Sequence, residues 1–517
     1  MLASKSAYLP TRQMSRQQLD RLMVVAIPFA IAMVLIPAVP DVDLWGHVRF
    51  GGDIVHARAI PALDPYSFTA DRAWINHEWL SEVVMYGAYA AAGPAGLSLL
   101  RLALIAVMLS LAGWVSVRDG NPPARTLMLV AFAALLTYPR TEHIRPQLLS
   151  IVLFSALLVI IREYERKPTA SPILALVSPL MAVWVNVHGG WVVGMGVFGL
   201  WAAANALRPS SRWSTRVSLV LAVIAAIAST LLNPYGARMW SFLWETIGVR
   251  RTDITEWLPI HRVEPGVAAM WFTTAAVALS AIYAGASRAK WVRHPVPTLL
   301  VAVMGLLSFR VSRLDAFFCL VVLMLMAPRL GRASQLAPKP TTLFGTPFGD
   351  ATLAAAAVLC AVVLKWHAIA EINLSSANWL PEQNVVRYLR AHQVRGNMLT
   401  FFDWGEYAIW HLAPDVKVSM DGRRETVYSD RPIEGHLAVY QGRPGALDYI
   451  RRVNPDYVWL PKSLPVVSEL QSTGDWTTTF EGPTSAVLVR RSSPESAAWP
   501  APAIGSEHTD ERVFPGP

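Results

Sequence analysis

From residue 22 onward the chain repeats apolar runs of about 16–20 residues, broken by short polar segments rich in arginine, and a run of that length crosses the hydrocarbon core of a bilayer as a helix. The pattern predicts spans at about 22–39, 97–115, 124–138, 146–161, 171–186, 190–207, 217–233, 266–285, 295–309, 314–328 and 350–366, about eleven crossings. The run "WLSEVVMYGAYAAA" (79–92) is shorter and carries Glu82. It reads as an interfacial helix rather than a span.

After Trp366 the periodicity changes. "EQNVVRYLRAH", "DWGEYAIWHL", "ALDYIRRV" and "VVSELQS" have helical spacing. "NMLTFF", "VKVSMDG", "DYVWLP", "WTTTFEG" and "SAVLVRR" read as strands. Helices alternating with strands predict a small α/β domain over 380–491. Residues 492–517, rich in proline, alanine and serine, read as a disordered tail.

Composition agrees with the spans. Hydrophobic residues make up 53% of the 517 and charged residues only 16%, with a mean hydropathy of +0.36. A soluble chain needs more polar surface than that. The fold class is therefore an α-helical polytopic membrane protein with a C-terminal soluble α/β domain. Basic residues then orient it. With the N-terminus inside, the inner segments hold 18 lysines and arginines and the outer loops 11, as the positive-inside rule requires. This makes 1–21 a cytoplasmic segment, 22–366 the membrane domain, 40–96 an outer loop with interfacial helices, and the α/β domain extracytoplasmic. The first span lacks an A-x-A-like cleavage site and reads as an uncleaved signal anchor. The net charge of +9 is then an orientation and anionic-lipid signal, not a nucleic-acid footprint. Cys319 and Cys360 fall inside apolar runs and read as small core residues. Neither a G-x-G-x-x-G nor a P-loop occurs in the α/β domain, which removes support for a nucleotide site.

Candidate chemistry concentrates in the first outer loop. Asp41 and Asp43 follow the first apolar run at once, and on a helix Asp43 shares a face with His47. Such a cluster can bind a divalent cation or supply a base for a hydroxyl nucleophile. A D-x-D pair at a helix start also serves as a plain cap.

The stretch "AVPDVDLWGHVRFGGDIVHARAIPALDPYSF" (38–68) and "HEWLSEVVMYGAYAAAGPAGLSLLRL" (77–102), which ends in the pair Arg101-Leu102, resemble the GT-C superfamily of integral membrane glycosyltransferases. So do "NVHGG" (186–190), "LNPYG" (232–236), "EW" (256–257), "FDWGEYAIW" (402–410) and "SMDGRRE" (419–425). The likeness is to bacterial members, most of them unassigned, that use polyprenyl-phosphate sugars. It implies transfer of a sugar from a polyprenyl-phosphate-linked donor to an envelope glycan, lipid or protein acceptor, on the outer face of the bacterial cytoplasmic (inner) membrane. By motif, Asp43 and Asp41 match the acidic catalytic residue, with Asp43 favoured. Asp64, Glu78 and His47 are expected to orient the acceptor or complete a metal site. The metal stays open, Mg or Mn among the choices.

The leaving phosphate needs positive charge. Arg310 and Arg313 in "FRVSRLD", and Arg140, His143 and Arg145 in "YPRTEHIRPQ", are the candidates, since arginine's forked donors suit phosphate oxygens. The same side chains also snorkel to headgroups. Asn186 and His188 are costly at membrane depth unless hydrogen-bonded or functional. In the α/β domain Asp403, Trp404, Glu406, Asp421, Arg423 and Arg424 fall near strand ends, where ligands of open sheets bind. Asp403, Trp404, Asp421 and Arg423 are the candidate acceptor contacts. Two other functions compete. A flippase or transporter predicts charges along span centres and internal repeats, and most of the conspicuous charge sits at span ends. A non-catalytic assembly factor keeps the fold and uses the acids as caps.

Overall fold

Prolines begin many of the helices. The structure, a computed structural model, describes residues 16–168, 171–247, 251, 254–286, 295–326, 347–375, 377–493, 503–504 and 513–516. Helices α1 (Arg16–Leu35), α2 (Leu44–Ala57) and α3 (Trp79–Arg118) are followed by α4 (Pro123–Leu136), α5 (Pro146–Arg166), α6 (Val177–Trp184) and α7 (Trp191–Ala206). Then come α8 (Trp213–Ser229), α9 (Arg238–Ile247), α10 (Pro265–Ala286), α11 (Pro295–Arg310), α12 (Asp315–Leu320) and α13 (Pro347–Leu364). Five of these start on proline, whose fixed φ suits a first helical turn and whose missing N–H has no partner there anyway.

Three helices are long and apolar enough to cross a membrane, Trp79–Arg118, Pro146–Arg166 and Pro265–Tyr283; seven more apolar helices span 10–17 residues. The expected crossing at 314–328 runs partly outside the described residues. Helix α3 holds the expected interfacial segment and the next span, separated by a break. Ala92 lies at φ −149° and Gly93 at φ +57°, ψ −143°, a conformation glycine tolerates, and Pro94 follows. Beyond the break Arg101 is buried and donates to the carbonyls of Thr141 (2.7 Å) and Ile36 (3.4 Å), tying α3 to two neighbouring segments.

The C-terminal domain contains α14 (Asn384–Ala391), β1 (Gly396–Thr400), α15 (Gly405–Leu412), β2 (Val416–Val418), α16 (Asp430–Gln441), α17 (Ala446–Val453), β3 (Tyr457–Pro461), α18 (Pro465–Thr473), β4 (Trp476–Glu481), β5 (Ser485–Arg490) and the two-residue β6 (Ala503–Ile504). The sheet order is β2-β1-β3-β5-β4-β6. Strand β1 runs parallel to both β2 and β3, while β5 is antiparallel to β3 and β4. Helix α16 lies beyond the pattern-based reading, because in "DRPIEGHLAVYQ" Pro432 and Gly435, poor helix formers, interrupt the apolar positions.

The outer loop and this domain close around one core. Trp45 of α2 packs against Tyr407 (5.3 Å), Trp379 (5.8 Å) and Phe514 (5.1 Å). The loop also extends the sheet at β2: Val418 donates to the Tyr66 carbonyl (2.9 Å) and Phe68 donates to Val418 (3.1 Å). An exposed strand edge is covered in this way. Part of the expected tail returns to the same place. Phe514 is 1% exposed, and the Pro515 carbonyl accepts from the Trp45 indole at 2.8 Å. Residues 494–502, 505–512 and 517 lie outside the described residues.

Candidate functional site

Past Pro40 the chain turns tightly, with the Asp43 N–H donating to Asp41 Oδ1 (3.1 Å) and the Leu44 N–H to the Asp41 carbonyl (3.2 Å). Asp43 takes the N-cap position of α2, yet its side chain makes no capping hydrogen bond. Leu44, Trp45 and Val48 are wholly buried and anchor the helix. Asp43 and Gly46 meet the C-terminal domain at Gly422 and Glu406, and His47 turns toward Glu82 of α3.

From the other side, β1 and β2 are neighbours and parallel, so the loops after both leave one sheet edge. The first loop brings Asp403 and Glu406, the second Asp421, Gly422 and Arg423. Two glycines permit the approach. A Cβ on Gly46 would sit 2.0 Å from Glu406 Oε2; one on Gly422 would sit 1.9 Å from Asp43 Oδ1 and 3.0 Å from Glu406 Oε1. Asp43 and Glu406 therefore converge on the bare Cα of Gly422.

These acids form a floor with little positive charge. Burial pushes the Asp43 carboxyl up to about 7, with Asp41, Glu78 and Asp421 adding to the rise and His47 opposing it. Burial, and then Asp41, push Asp403 up to about 6. His47 lies 3.8 Å from Glu82. Burial disfavours its charged ring, but Glu82, Glu78 and Asp43 outweigh this and raise it to about 9. Glu82 also accepts from the Asn76 amide at 2.6 Å.

A basic wall adjoins the floor. Glu256, in the turn Thr255–Trp257, pairs with Arg145 (2.7 Å), Arg140 (2.9 Å) and Arg313 (3.5 Å). Burial works against its charge, but the three arginines hold it far below the usual carboxylate range. Arg145 also reaches Asp41 (3.5 Å), which joins wall to floor. Arg313 is the most open of the three, its side chain 28% exposed, and its Nη2 lies 3.4 Å from His188 Nε2. His188 Nδ1 accepts the Gly190 N–H at 2.9 Å, which leaves the ring proton on Nε2, 3.6 Å from Glu78. Burial, partly offset by Glu78, lowers His188 to about 3 and keeps it neutral. Glu78 also contacts His77 (3.4 Å). Its own burial is outweighed chiefly by His77, which holds it well below the ordinary range.

Several expected site residues are fully engaged elsewhere. Asp64 accepts both forks of Arg423 (2.7 and 3.0 Å) and the N–H groups of Tyr66 and Ser67, which leaves no oxygen for an acceptor or a metal. Asp421 takes the remaining Arg423 donors and the Tyr428 hydroxyl. Arg423 itself lies 4.9 Å from Phe50, 5.2 Å from Tyr66 and 4.7 Å from Trp74. The trio is a clamp between loop and domain rather than a set of acceptor contacts. Trp404 is 2% exposed and donates to the Trp379 carbonyl, a core residue. Asn186 accepts from Trp79 (2.9 Å) and donates to the carbonyls of Ala182 and Leu232, a tie between helices. Arg140 is enclosed by Asp315, Glu256 and the Ser312 carbonyl. His143 faces Glu142 at 3.7 Å. Arg310 closes the last turn of α11 and has no ion pair among the described residues. Glu82 and Glu256 were visible as residues but not as partners, because their partners come from distant segments. Among the described residues no group of three or more His, Cys, Asp or Glu side chains is arranged to hold a metal ion.

No family model and no curated protein matches the sequence. Solved structures do. The oligosaccharyltransferase AglB from Archaeoglobus fulgidus, in complex with an inhibitory peptide and a dolichol-phosphate, superposes with a TM-score of 0.56 at 11% identity, covering 86% of this chain and 69% of that one. ArnT from Cupriavidus metallidurans in the apo state gives 0.56 at 11% identity, over 92% and 98% of the two chains. The same protein bound to undecaprenyl phosphate gives 0.53 at 11%, over 93% and 99%. With these neighbours and its own apolar helices, the chain has the fold of the GT-C superfamily of integral membrane glycosyltransferases.

Proposed function

We propose that the protein transfers a sugar from a polyprenyl-phosphate-linked donor to a hydroxyl of an envelope glycan, lipid or protein acceptor at the outer face of a bacterial cytoplasmic membrane, with its N-terminus inside. The observation that carries this is Asp43. It is a carboxylate held at a helix start without capping it, beside a wall that offers Arg145 and Arg313.

Asp43 accepts the acceptor's proton as the acceptor attacks the anomeric carbon. The bond from that carbon to the phosphate oxygen breaks, and the lipid phosphate leaves as an anion. Arg313, the open arginine, meets it, with Arg145 behind. Glu256 and Asp41 hold the guanidiniums in place before the donor arrives, so little reorganisation accompanies the reaction. Neutral His188, its proton on Nε2, adds a donor beside Arg313. The two neighbours' lipid phosphates, dolichol-phosphate and undecaprenyl phosphate, support a donor of this chemical class. No step here runs through a metal.

The test is transfer of radiolabelled sugar from a panel of polyprenyl-phosphate donors by purified protein. Asp43→Asn is expected to lower kcat by about 10²–10⁴-fold, the usual contribution of a general base, with donor binding retained. Wild-type turnover in that variant rejects the assignment. Donor binding without transfer by the wild type favours a flippase or assembly factor.

A further inference from the structure

The proposed reaction leaves Glu406 without a role, although its Oε1 and Asp43 Oδ1 both close on the Cα of Gly422. It stands in the first turn of α15, 2% exposed; its Oε2 lies over Gly46 and has no hydrogen-bond partner among the described residues, while its Oε1 faces Gly422 and Asp43. The charged groups around it are Asp43, Asp421, Glu82 and Arg423. Arg423 is the lone cation of that group, and its hydrogen bonds go to Asp64 and Asp421. A buried carboxyl without a cation of its own takes up a proton and becomes a hydrogen-bond donor. The acceptor that faces it at Gly422 is the Asp43 carboxylate.

Resting on the glycosyltransferase reading, we propose that Glu406 is the positioning residue of Asp43: the two carboxyls share one proton across the bare Cα of Gly422, so that Glu406 donates to one Asp43 oxygen and aims the other at the acceptor. The active form of the pair is the monoanion. A second proton silences the base, and loss of the shared proton sets two charges against each other. Asp41, His47, Glu78 and Asp421 also act on Asp43, but Asp41 and Asp421 are held by arginines, Glu78 by His77 and His188, and His47 by Glu82. Burial raises Glu406 well above the ordinary range, with Asp43 the next cause, which agrees with Glu406 holding the proton at neutral pH. The consequence is that the membrane half of the molecule does not contain a complete site.

The experiment is a pH–rate profile of sugar transfer by the full chain in lipid nanodiscs, for wild type, Glu406→Gln and Glu406→Leu. The wild type is expected to rise on the acid side and fall on the alkaline side. Gln keeps a donor but has no proton to lose, so it should retain activity within about threefold and lose the alkaline fall. Leu removes the donor, so activity should drop at least tenfold and the acid limb should move to higher pH, because the charged base has lost a hydrogen bond. A Gln profile with the alkaline fall intact, or Gln and Leu equally impaired with unshifted limbs, overturns the proposal. Infrared difference spectra between pH 6 and 9 supply a readout without any substrate. A protonated-carboxyl band should vanish in Glu406→Gln and shift in Asp43→Asn. A band untouched by both substitutions overturns the pair; wild type that shows this pattern yet transfers no sugar overturns only the glycosyltransferase reading.

Discussion

The floor and the wall of the site are built on opposite electrostatic plans. On the wall, Arg140, Arg145 and Arg313 converge on Glu256, and Asp315 and Asp41 pair with Arg140 and Arg145. On the floor, Asp43, Glu406 and Asp403 are gathered with only His47 and the already engaged Arg423 to oppose burial, and their affinity for protons rises. A compensated network holds its shape, whereas like charges brought together under burial store a preference for binding a proton or a cationic partner. The wall is thus suited to receiving a charge that arrives already formed, and the floor to receiving a proton.

That contrast can be broken from either side. The largest effect is expected at the wall. Glu256→Gln leaves three guanidiniums without their shared carboxylate, and a broken buried pair costs about 3–5 kcal/mol; chemical unfolding in detergent should show a loss near the lower end, since Glu256 is one-fifth exposed. An unfolding midpoint equal to wild type means that the wall is not compensated as described. Next in size is the pH dependence of transfer. With Asp43 at about 7, a base that must be ionised gives a rate that rises roughly tenfold between pH 6 and 8, and a flat profile over that window removes Asp43 as the base.

The smallest effect sharpens the comparison. The folded Asp43 carboxyl has a raised affinity for protons, so between about pH 4 and 7 the folded state holds a proton that the unfolded chain has released. Its contribution to stability is full below pH 4 and is lost as pH rises through 7. Asp43→Asn is free of that loss and should be more stable than wild type by about 1 kcal/mol at pH 8 and no more stable at pH 4. Destabilisation at pH 8 means that the floor is held by contacts the charge description omits.

Much of this was legible in the residues. The break before the span at 97, the acids after the first span and every expected strand of the α/β domain follow from local pattern: Gly93-Pro94, a D-x-D after a long apolar run, and alternation in "SAVLVRR". What local pattern does not carry is which polar group finds which partner. Arg423 and Asp64 are separated by 359 positions and Arg145 and Asp41 by 104. An arginine and an aspartate look the same in sequence whether they clamp two segments or await a ligand. Trp404, read as a contact for a sugar, turned inward because its indole finds a backbone carbonyl there. Glu406 shows the converse: its neighbours in sequence say nothing of Asp43, and Gly422, which admits both, reads only as a turn.

The Trp45–Pro515 hydrogen bond joins residues 470 positions apart. During synthesis at about 5–20 residues per second, the loop bearing Trp45 precedes its partner by roughly 25–95 s. For that interval the faces of Trp45 and Phe50 that later meet Tyr407, Phe514 and Arg423 lack those partners. The packing of Trp45 is therefore completed by segments made long after it.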